Sequence, residues 1–235
     1  MRFDVITLFP ELFAPMLKVG VTRRAFEAAT PDVRFVNPRD FAEGNYNRVD
    51  DRPFGGGPGM VMRADILAAA IDTVQRHERP LIVLSPRGLP LTQARARELS
   101  AGPGAVFVCG RFEGIDQRVI EARALEEISV GDYVLSGGEL AAMIVIDAVV
   151  RLLPGVVGAD ASLDEESFEQ GLLEYPHYTR PQVWEGREIP AVLTSGHHQR
   201  IRDWRREQSL ALTKQRRPDL YDAHMRRAGG ASSKH

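Results

Sequence analysis

The sequence predicts an α/β fold, a parallel-sheet N-terminal domain followed by a small helical C-terminal domain. Three features predict it. Over the first ~155 residues, short apolar runs alternate with helical patterns. Two of the runs, Leu81–Ser85 (LIVLS) and Ala105–Cys109 (AVFVC), are almost wholly apolar, as strands buried on both faces are. From Pro154 the alternation stops, and an acidic segment and then a basic one follow.

The elements follow in order. Arg2–Phe9 (RFDVITLF) reads as a strand, and Pro10 and Glu11 open a helix through about Lys18, with another near Arg23–Ala28. Val33–Asn37 is a strand. Ala64–Arg76 has helical period, with Ile66, Ala69, Ala70 and Val74 on one face. Thr92–Leu99 is a helix with Thr92 near its start, and Ile115–Glu121 is a short helix. Glu139–Leu153 is a helix apolar on nearly every side, which calls for burial in a core or against another subunit. Residues 1–155 thus form the first domain. Residues 156–175 carry six acids and no base and read as a linker. In 176–221, PHYTRP and REIP are turn-rich and irregular, Gln199–Arg216 is a basic helix with Ile201, Trp204 and Leu212 on one side, and Pro218 ends it. The tail, 222–235, is expected to be disordered.

The chain has 235 residues, 43% of them hydrophobic, with 30 Lys+Arg against 32 Asp+Glu. A collagen-like or wholly disordered chain is excluded. The single Cys109 excludes an intramolecular disulfide framework and a multi-cysteine zinc site. No signal peptide and no membrane span are expected, and a cytoplasmic location is. The net charge of −2 averages two opposite parts: ten Lys/Arg and four acids lie between Gly196 and His235, a local +6, which leaves −8 on residues 1–195. Such a split fits a polyanion partner for the basic end. A solvated, salt-bridged helix face explains the charge alone equally well.

Three glycine-bearing segments could carry chemistry. Arg52–Met60 (RPFGGGPGM) can be neither helix nor strand and suits close backbone approach, yet lacks the G-K-[ST] of a P-loop. Cys109–Asp116 (CGRFEGID) follows a strand and opens a helix, where α/β sheets bind ligands; Arg111, Glu113 and Asp116 offer charge. In Ser129–Glu139 (SVGDYVLSGGE), glycines bracket an apolar stretch, and exposed backbone beside apolar walls suits an adenine edge. No metal-binding histidine pattern and no G-x-S-x-G elbow is present, and Cys109 reads as a buried strand residue.

In order along the chain, VLSPRG (Val83–Gly88), CGRFEGIDQRV (Cys109–Val119), VGDYVLSGGE (Val130–Glu139), HYTRP (His177–Pro181) and WRREQSL (Trp204–Leu210) resemble the bacterial tRNA (guanine-N1)-methyltransferases of the SPOUT superfamily. TLFPE and DDRPFGGGPGMVM fit the same family, and the likeness runs from Met1 to about Leu220. The resemblance implies a deep trefoil knot in the first domain, an obligate homodimer with active sites between subunits, S-adenosylmethionine as methyl donor, and tRNA as substrate. The target is N1 of guanosine 37, next to the anticodon. Activity promoted by Mg²⁺ is also implied, but no metal ligands can be assigned.

By motif, the donor pocket would use Leu84, Ser85, Pro86, Gly110, Phe112, Glu113, Val130, Gly131, Asp132, Tyr133, Val134, Leu135, Gly137 and Gly138. Phe112 stands where the family usually has Tyr, which keeps the ring and loses the hydroxyl. Catalysis would fall to a carboxylate base near N1, a cation near O6, and Glu113. The cation is Arg151, which taken alone reads as an ion-pair partner of Asp147 on the same helix; the family resemblance reverses that reading. The family's Asp-Ser-Phe reads Glu166-Ser167-Phe168 here, so the base would be Glu166 or, if the longer side chain misplaces the carboxylate, Asp164. Substrate contacts would come from Gly55, Gly56, Gly57, Gly59, Glu174, His177, Arg180, Arg205 and Arg206. The competing readings are a catalytically impaired, knotted RNA-binding protein, encouraged by Glu166, and a nucleotide-dependent enzyme, which would lack a Walker lysine.

Overall fold

Both apolar runs lie inside a sheet of five parallel strands, in the order β2-β1-β6-β5-β7. The strands are β1 (Arg2–Ile6), β2 (Asp32–Val36), β5 (Leu81–Pro90), β6 (Gly104–Val108) and β7 (Glu126–Ser129). A minor hairpin, β3 (Asp50–Asp51) with β4 (Val61–Met62), flanks the glycine-rich loop. This computed structural model describes residues 1–27, 31–44, 46–157 and 165–231. The chain divides into two compact units, Met1–Gly158 and Ala159–His235.

In the first unit, strand alternation sends side chains to two cores. Phe3, Val5, Ile82, Leu84, Ala105 and Phe107 face one; Ile6, Leu81, Val83, Val106 and Val108 face the other. The first core is closed by α4 (Gln93–Ala101) and α6 (Gly138–Val150), with Phe13 and Ala25 from the N-terminal helices α1 (Ala14–Lys18) and α2 (Gly20–Glu27) and the 3-10 turn before them. The second is closed by α3 (Ala64–Asp72) and α5 (Gln117–Ala122). The chain therefore has an α/β fold with a parallel central sheet.

Several boundaries differ from the sequence expectation for local reasons. The first strand ends at Ile6, not Phe9, because Thr7 Oγ1 turns back to accept from the Phe9 amide at 3.0 Å. The helix expected from Pro10 starts as a 3-10 turn, Pro10–Phe13. The helix from Ala64 stops at Asp72, where the Thr73 hydroxyl donates to the Ala70 carbonyl at 2.8 Å. Thr92 and Asp116 are the N-caps of α4 and α5, accepting from the amides of Arg95 and Arg118 at 3.2 and 2.9 Å. Strand β7 has too few apolar residues to be read as a strand, yet it forms the sheet edge.

Strand β5 carries an interruption that shapes the site. Its partner Ile128 pairs with both Leu84 and Leu89, so Ser85–Gly88 bulge out of the ladder. Gly88 is required there, because a Cβ would collide with the Glu127–Ile128 backbone. A polar staple lies in the first unit as well. Asp4 and Arg79, 1% and 3% exposed, form a buried ion pair, and Arg79 also donates to the carbonyls of Arg2, Gln75 and Arg76.

In the second unit, α7 (His198–Arg216) and α8 (Pro218–Ala231) follow a hairpin of β8 (Val183–Trp184) and β9 (Arg187–Glu188). The stretch read as irregular thus contains a hairpin. Pro218 does end α7, but it also opens α8, since proline at the first helical position needs no amide partner. This corrects the expected disordered tail over 222–231, which is helical; 232–235 lie outside the described residues. Ile201, Trp204, Arg205, Ser209, Leu212 and Thr213 form the less exposed stripe of α7, at helical spacing.

Candidate active site

The bulge within β5, the turn after β6 and the loop after β7 lie toward the carboxyl ends of the parallel strands. Together they enclose a cavity of about 390 Å³, in the range of small-molecule sites. The wall from the bulge holds Leu84, Ser85, Pro86 and Arg87. The turn after β6 contributes Gly110, Arg111, Phe112, Glu113 and Gly114. The third wall is Val130, Gly131, Tyr133, Val134, Leu135, Ser136, Gly137 and Gly138. All three glycine or proline motifs after the strands thus meet around one space. Of the residues assigned to the donor pocket, only Asp132 is outside the lining; its side chain is exposed.

Glycine permits the close approaches. The Gly138 amide donates to the Gly110 carbonyl at 2.9 Å, and a Cβ on Gly138 would sit 2.8 Å from the Cys109 Cα. At Gly137 a Cβ would strike the Arg111 side chain. The RPFGGGPGM loop joins the second wall: the Glu113 amide donates to the Met60 carbonyl at 2.8 Å, and the Met62 amide to the Gly114 carbonyl at 2.9 Å. Gly59, at φ +81°, lies where a side chain would collide with the Glu113 carboxylate. Gly55, Gly56 and Gly57 are exposed, all at positive φ, with Phe54 fully exposed beside them.

A buried polar chain supports these walls. Glu139, 1% exposed, accepts from the Thr7 hydroxyl at 2.8 Å and lies 2.8 Å from Arg111 Nε as an ion pair. Arg111 Nη1 donates to the Ser136 carbonyl at 3.2 Å, and its guanidinium stacks 4.5 Å above the Phe9 ring. The TLFPE motif therefore reaches the site from beneath. Sequence reasoning noted the charge on Arg111, but nothing local marked Thr7 and Glu139 as its partners. On the rim, Arg87 donates to Gln117 and Glu127, both at 3.2 Å. Burial pushes the Cys109 thiol well up, with the Glu139 charge adding to it, so it stays protonated and is no nucleophile. The Arg118 hydrogen bond holds the Asp116 carboxyl below the usual range, so its charge serves the N-cap.

The other assigned residues are at the end of α6 and in the second unit. Arg151 caps the C-terminus of α6, half-buried and about 20 Å along the helix from Gly138 at ~1.5 Å per residue, and does not line the cavity. Leu140 and Ile144 on α6 are 48% and 43% exposed, so the all-round apolar helix is buried on one side only in the single chain. In the second unit, Glu166 sits in a turn, described from Glu165 onward; Asp164 lies outside the described residues. His177 Nε2 and Glu174 Oε1 are 2.7 Å apart. Arg180 and Arg206 are exposed, while Arg205 is engaged with Glu165 and Tyr175. Among the described residues there is no cluster of three or more His, Cys, Asp or Glu able to hold a metal, and no helix long and apolar enough to cross a membrane.

Fold and site together define an α/β protein whose ligand cavity is built from backbone loops at the carboxyl ends of parallel strands. The sequence profile of the tRNA (Guanine-1)-methyltransferase TrmD family matches residues 1–223, and the chain belongs to that family. A tRNA (guanine-N(1)-)-methyltransferase of Mesorhizobium japonicum is 61% identical, over 95% of this chain and 97% of that protein. Those of Chelativorans sp. and Leptothrix cholodnii are 59% and 58% identical, the former over 97% of this chain and 98% of the relative, the latter over 99% and 95%.

Proposed function

We propose that the protein transfers a methyl group from S-adenosylmethionine to N1 of guanosine 37 in tRNA. One observation carries the reading: within a chain similar over residues 1–223 to tRNA (guanine-N1)-methyltransferases, the motifs assigned to the donor enclose a single cavity. The lining suits such a ligand. Leu84, Pro86, Val130 and Leu135 offer apolar walls, and the glycine backbones offer donors and acceptors for a heterocycle edge.

Bound donor would supply an already activated methyl group. The chain must then hold guanine in line, take the N1 proton and stabilise charge developing toward O6. Glu166 is assigned proton removal and Arg151 the charge at O6. Glu113, fixed by the hydrogen bond its backbone amide donates to the Met60 carbonyl, is assigned to the cavity side of the reacting centre. His177, Glu174, Arg180, Arg205, Arg206 and the glycines Gly55, Gly56, Gly57 and Gly59 are assigned to the RNA. Mg²⁺ dependence is proposed without ligands.

A knotted sheet and a homodimer belong to the same reading. The knot is supported by the Gly138–Gly110 hydrogen bond, which seats the chain after β7 tightly against the turn after β6. The dimer is supported by Leu140 and Ile144, exposed on an otherwise buried helix, and by the distance of Arg151 from its own cavity. A cytoplasmic location accompanies the tRNA substrate. The names of the relatives favour the enzyme over the non-catalytic RNA-binding alternative.

The test is a single-turnover assay with labelled S-adenosylmethionine and a tRNA transcript bearing G36-G37. Methylation at N1 of guanosine 37 is expected. Glu166→Gln should abolish it while donor binding by calorimetry is retained. Tight RNA binding with no transfer by the unaltered protein would instead establish the non-catalytic reading.

A further inference from the structure

The adjacent residues Arg205 and Arg206 read alike in sequence, but α7 separates them. One residue of helix rotates a side chain by about 100°, so Arg206 is exposed while Arg205 falls on the stripe with Trp204, Ser209 and Thr213. There its guanidinium stacks 4.7 Å above the Tyr175 ring and donates to Glu165 Oε2 at 3.2 Å. The same carboxylate oxygen accepts from the Tyr175 hydroxyl at 2.6 Å. Burial and this hydrogen bond push the Tyr175 pKa up to about 12, so the phenol remains a donor throughout the working range of pH.

These contacts close a turn. Glu165 is tied as described. Ser167 Oγ accepts from the Glu174 amide at 3.0 Å, the Phe168 amide donates to the Leu172 carbonyl at 2.7 Å, and the Leu173 amide donates to Thr213 Oγ1 of α7 at 2.8 Å. Glu166 therefore stands between two anchored neighbours, Glu165 and Ser167, in a turn fastened to α7 at both ends.

We propose that Arg205, Glu165 and Tyr175 form a clamp that fixes the turn carrying Glu166, making Arg205 a positioning residue of the reaction and not a phosphate contact. The proposal rests on reading Glu166 as the base. It reassigns Arg205 from RNA affinity to chemistry and leaves the salt-dependent grip to exposed cations such as Arg200 and Arg206. The expected size follows from geometry: a misplacement of about 1 Å in a reacting group can cost roughly 10²-fold in rate.

The experiment measures two quantities on the full-length protein: the single-turnover rate at saturating tRNA and donor, and tRNA affinity over a range of salt. Arg205→Ala should slow the chemical step by ~10- to 100-fold and leave the salt slope unchanged. Arg206→Ala, which removes an exposed cation assigned to the RNA, should weaken tRNA affinity and lower the slope by about 1. Arg205→Lys keeps the charge but not the planar fork that stacks and reaches Glu165, so the slow step should persist. Glu165→Gln should slow the same step, and the double variant with Arg205→Ala should be no slower than the slower single one. If Arg205→Ala proves unstable in a thermal melt, Tyr175→Phe, which removes only a hydroxyl, carries the same test. A reduced salt slope with a normal saturating rate in Arg205→Ala, or multiplied defects in the double variant, overturns the clamp. Normal turnover by Glu166→Gln overturns the base assignment alone, because the coupling between Arg205 and Glu165 is read separately.

Discussion

The two units solve the problem of placing a group in different ways. In the first, position is set by backbone: glycines let three chain segments touch, and strands with two buried faces hold them there. In the second, fully buried residues are few, and position is set by side chains that reach across the unit, as Arg205, Glu165 and Tyr175 do. A backbone-built site tolerates change in exposed side chains and fails when an atom is added. A side-chain-built site fails when a charge is removed, and folds nonetheless.

The strongest way to break this contrast is at the Asp4–Arg79 pair. Arg79→Ala removes the buried partner of Asp4 and leaves it only the partly exposed Arg2 at 2.7 Å. The cost should reach at most that of a broken buried pair, about 3–5 kcal/mol, and the melting temperature should fall by calorimetry. Retention of the melting temperature would mean that the polar staple is incidental to the sheet. Next in size is Gly138→Ala. Its Cβ would stand 2.8 Å from the Cys109 Cα, just before the cavity-lining turn, so overpacking of about 1–3 kcal/mol is expected. Donor affinity should fall by more than about tenfold in titration calorimetry, each tenfold being ~1.4 kcal/mol, while Val134→Ala, at an exposed lining position, should change it little.

Smallest is the surface. Asp72 and Arg123 pair at 2.6 Å, and the hydrogen bond from Arg123 holds the Asp72 carboxyl below its usual range. A depressed folded pKa contributes stability that is present above the unfolded value, near pH 4, and is lost as pH falls through the folded one. The pair is exposed and screened, so Arg123→Ala should lower the melting temperature only slightly at neutral pH, with the difference from the parent vanishing in acid melts. Cys109 sharpens the same contrast chemically. Alkylation at pH 8 should be absent in the native protein and complete in denaturant, since burial raises the thiol pKa and denies access.

Much of the first unit was legible in the sequence. LIVLS and AVFVC are too apolar and too short to be anything but buried strands, and glycines crowded after a strand announce a loop under steric demand. Strand β7 was not legible, because EEIS carries its polar residues on a sheet edge where one side stays wet. The second helix of the basic unit was hidden by Pro218, which stops one helix and starts another with the same chemistry. Thr7 and Glu139 were illegible as partners because 132 residues separate them.

The sequence by itself determined the parallel α/β class, the three motifs of the cavity and the family to which the chain belongs. These are written in local periodicity and in residue types with few conformational alternatives. Only the tertiary structure decided which charges face inward. It paired Glu139 with Arg111, drew Gly59 against Glu113, and divided Arg205 from Arg206. The reason is physical: a helix or strand is specified by neighbours a few residues away, whereas an ion pair needs a partner from distant chain, and sequence spacing carries no record of which distant groups the fold brings within 3 Å.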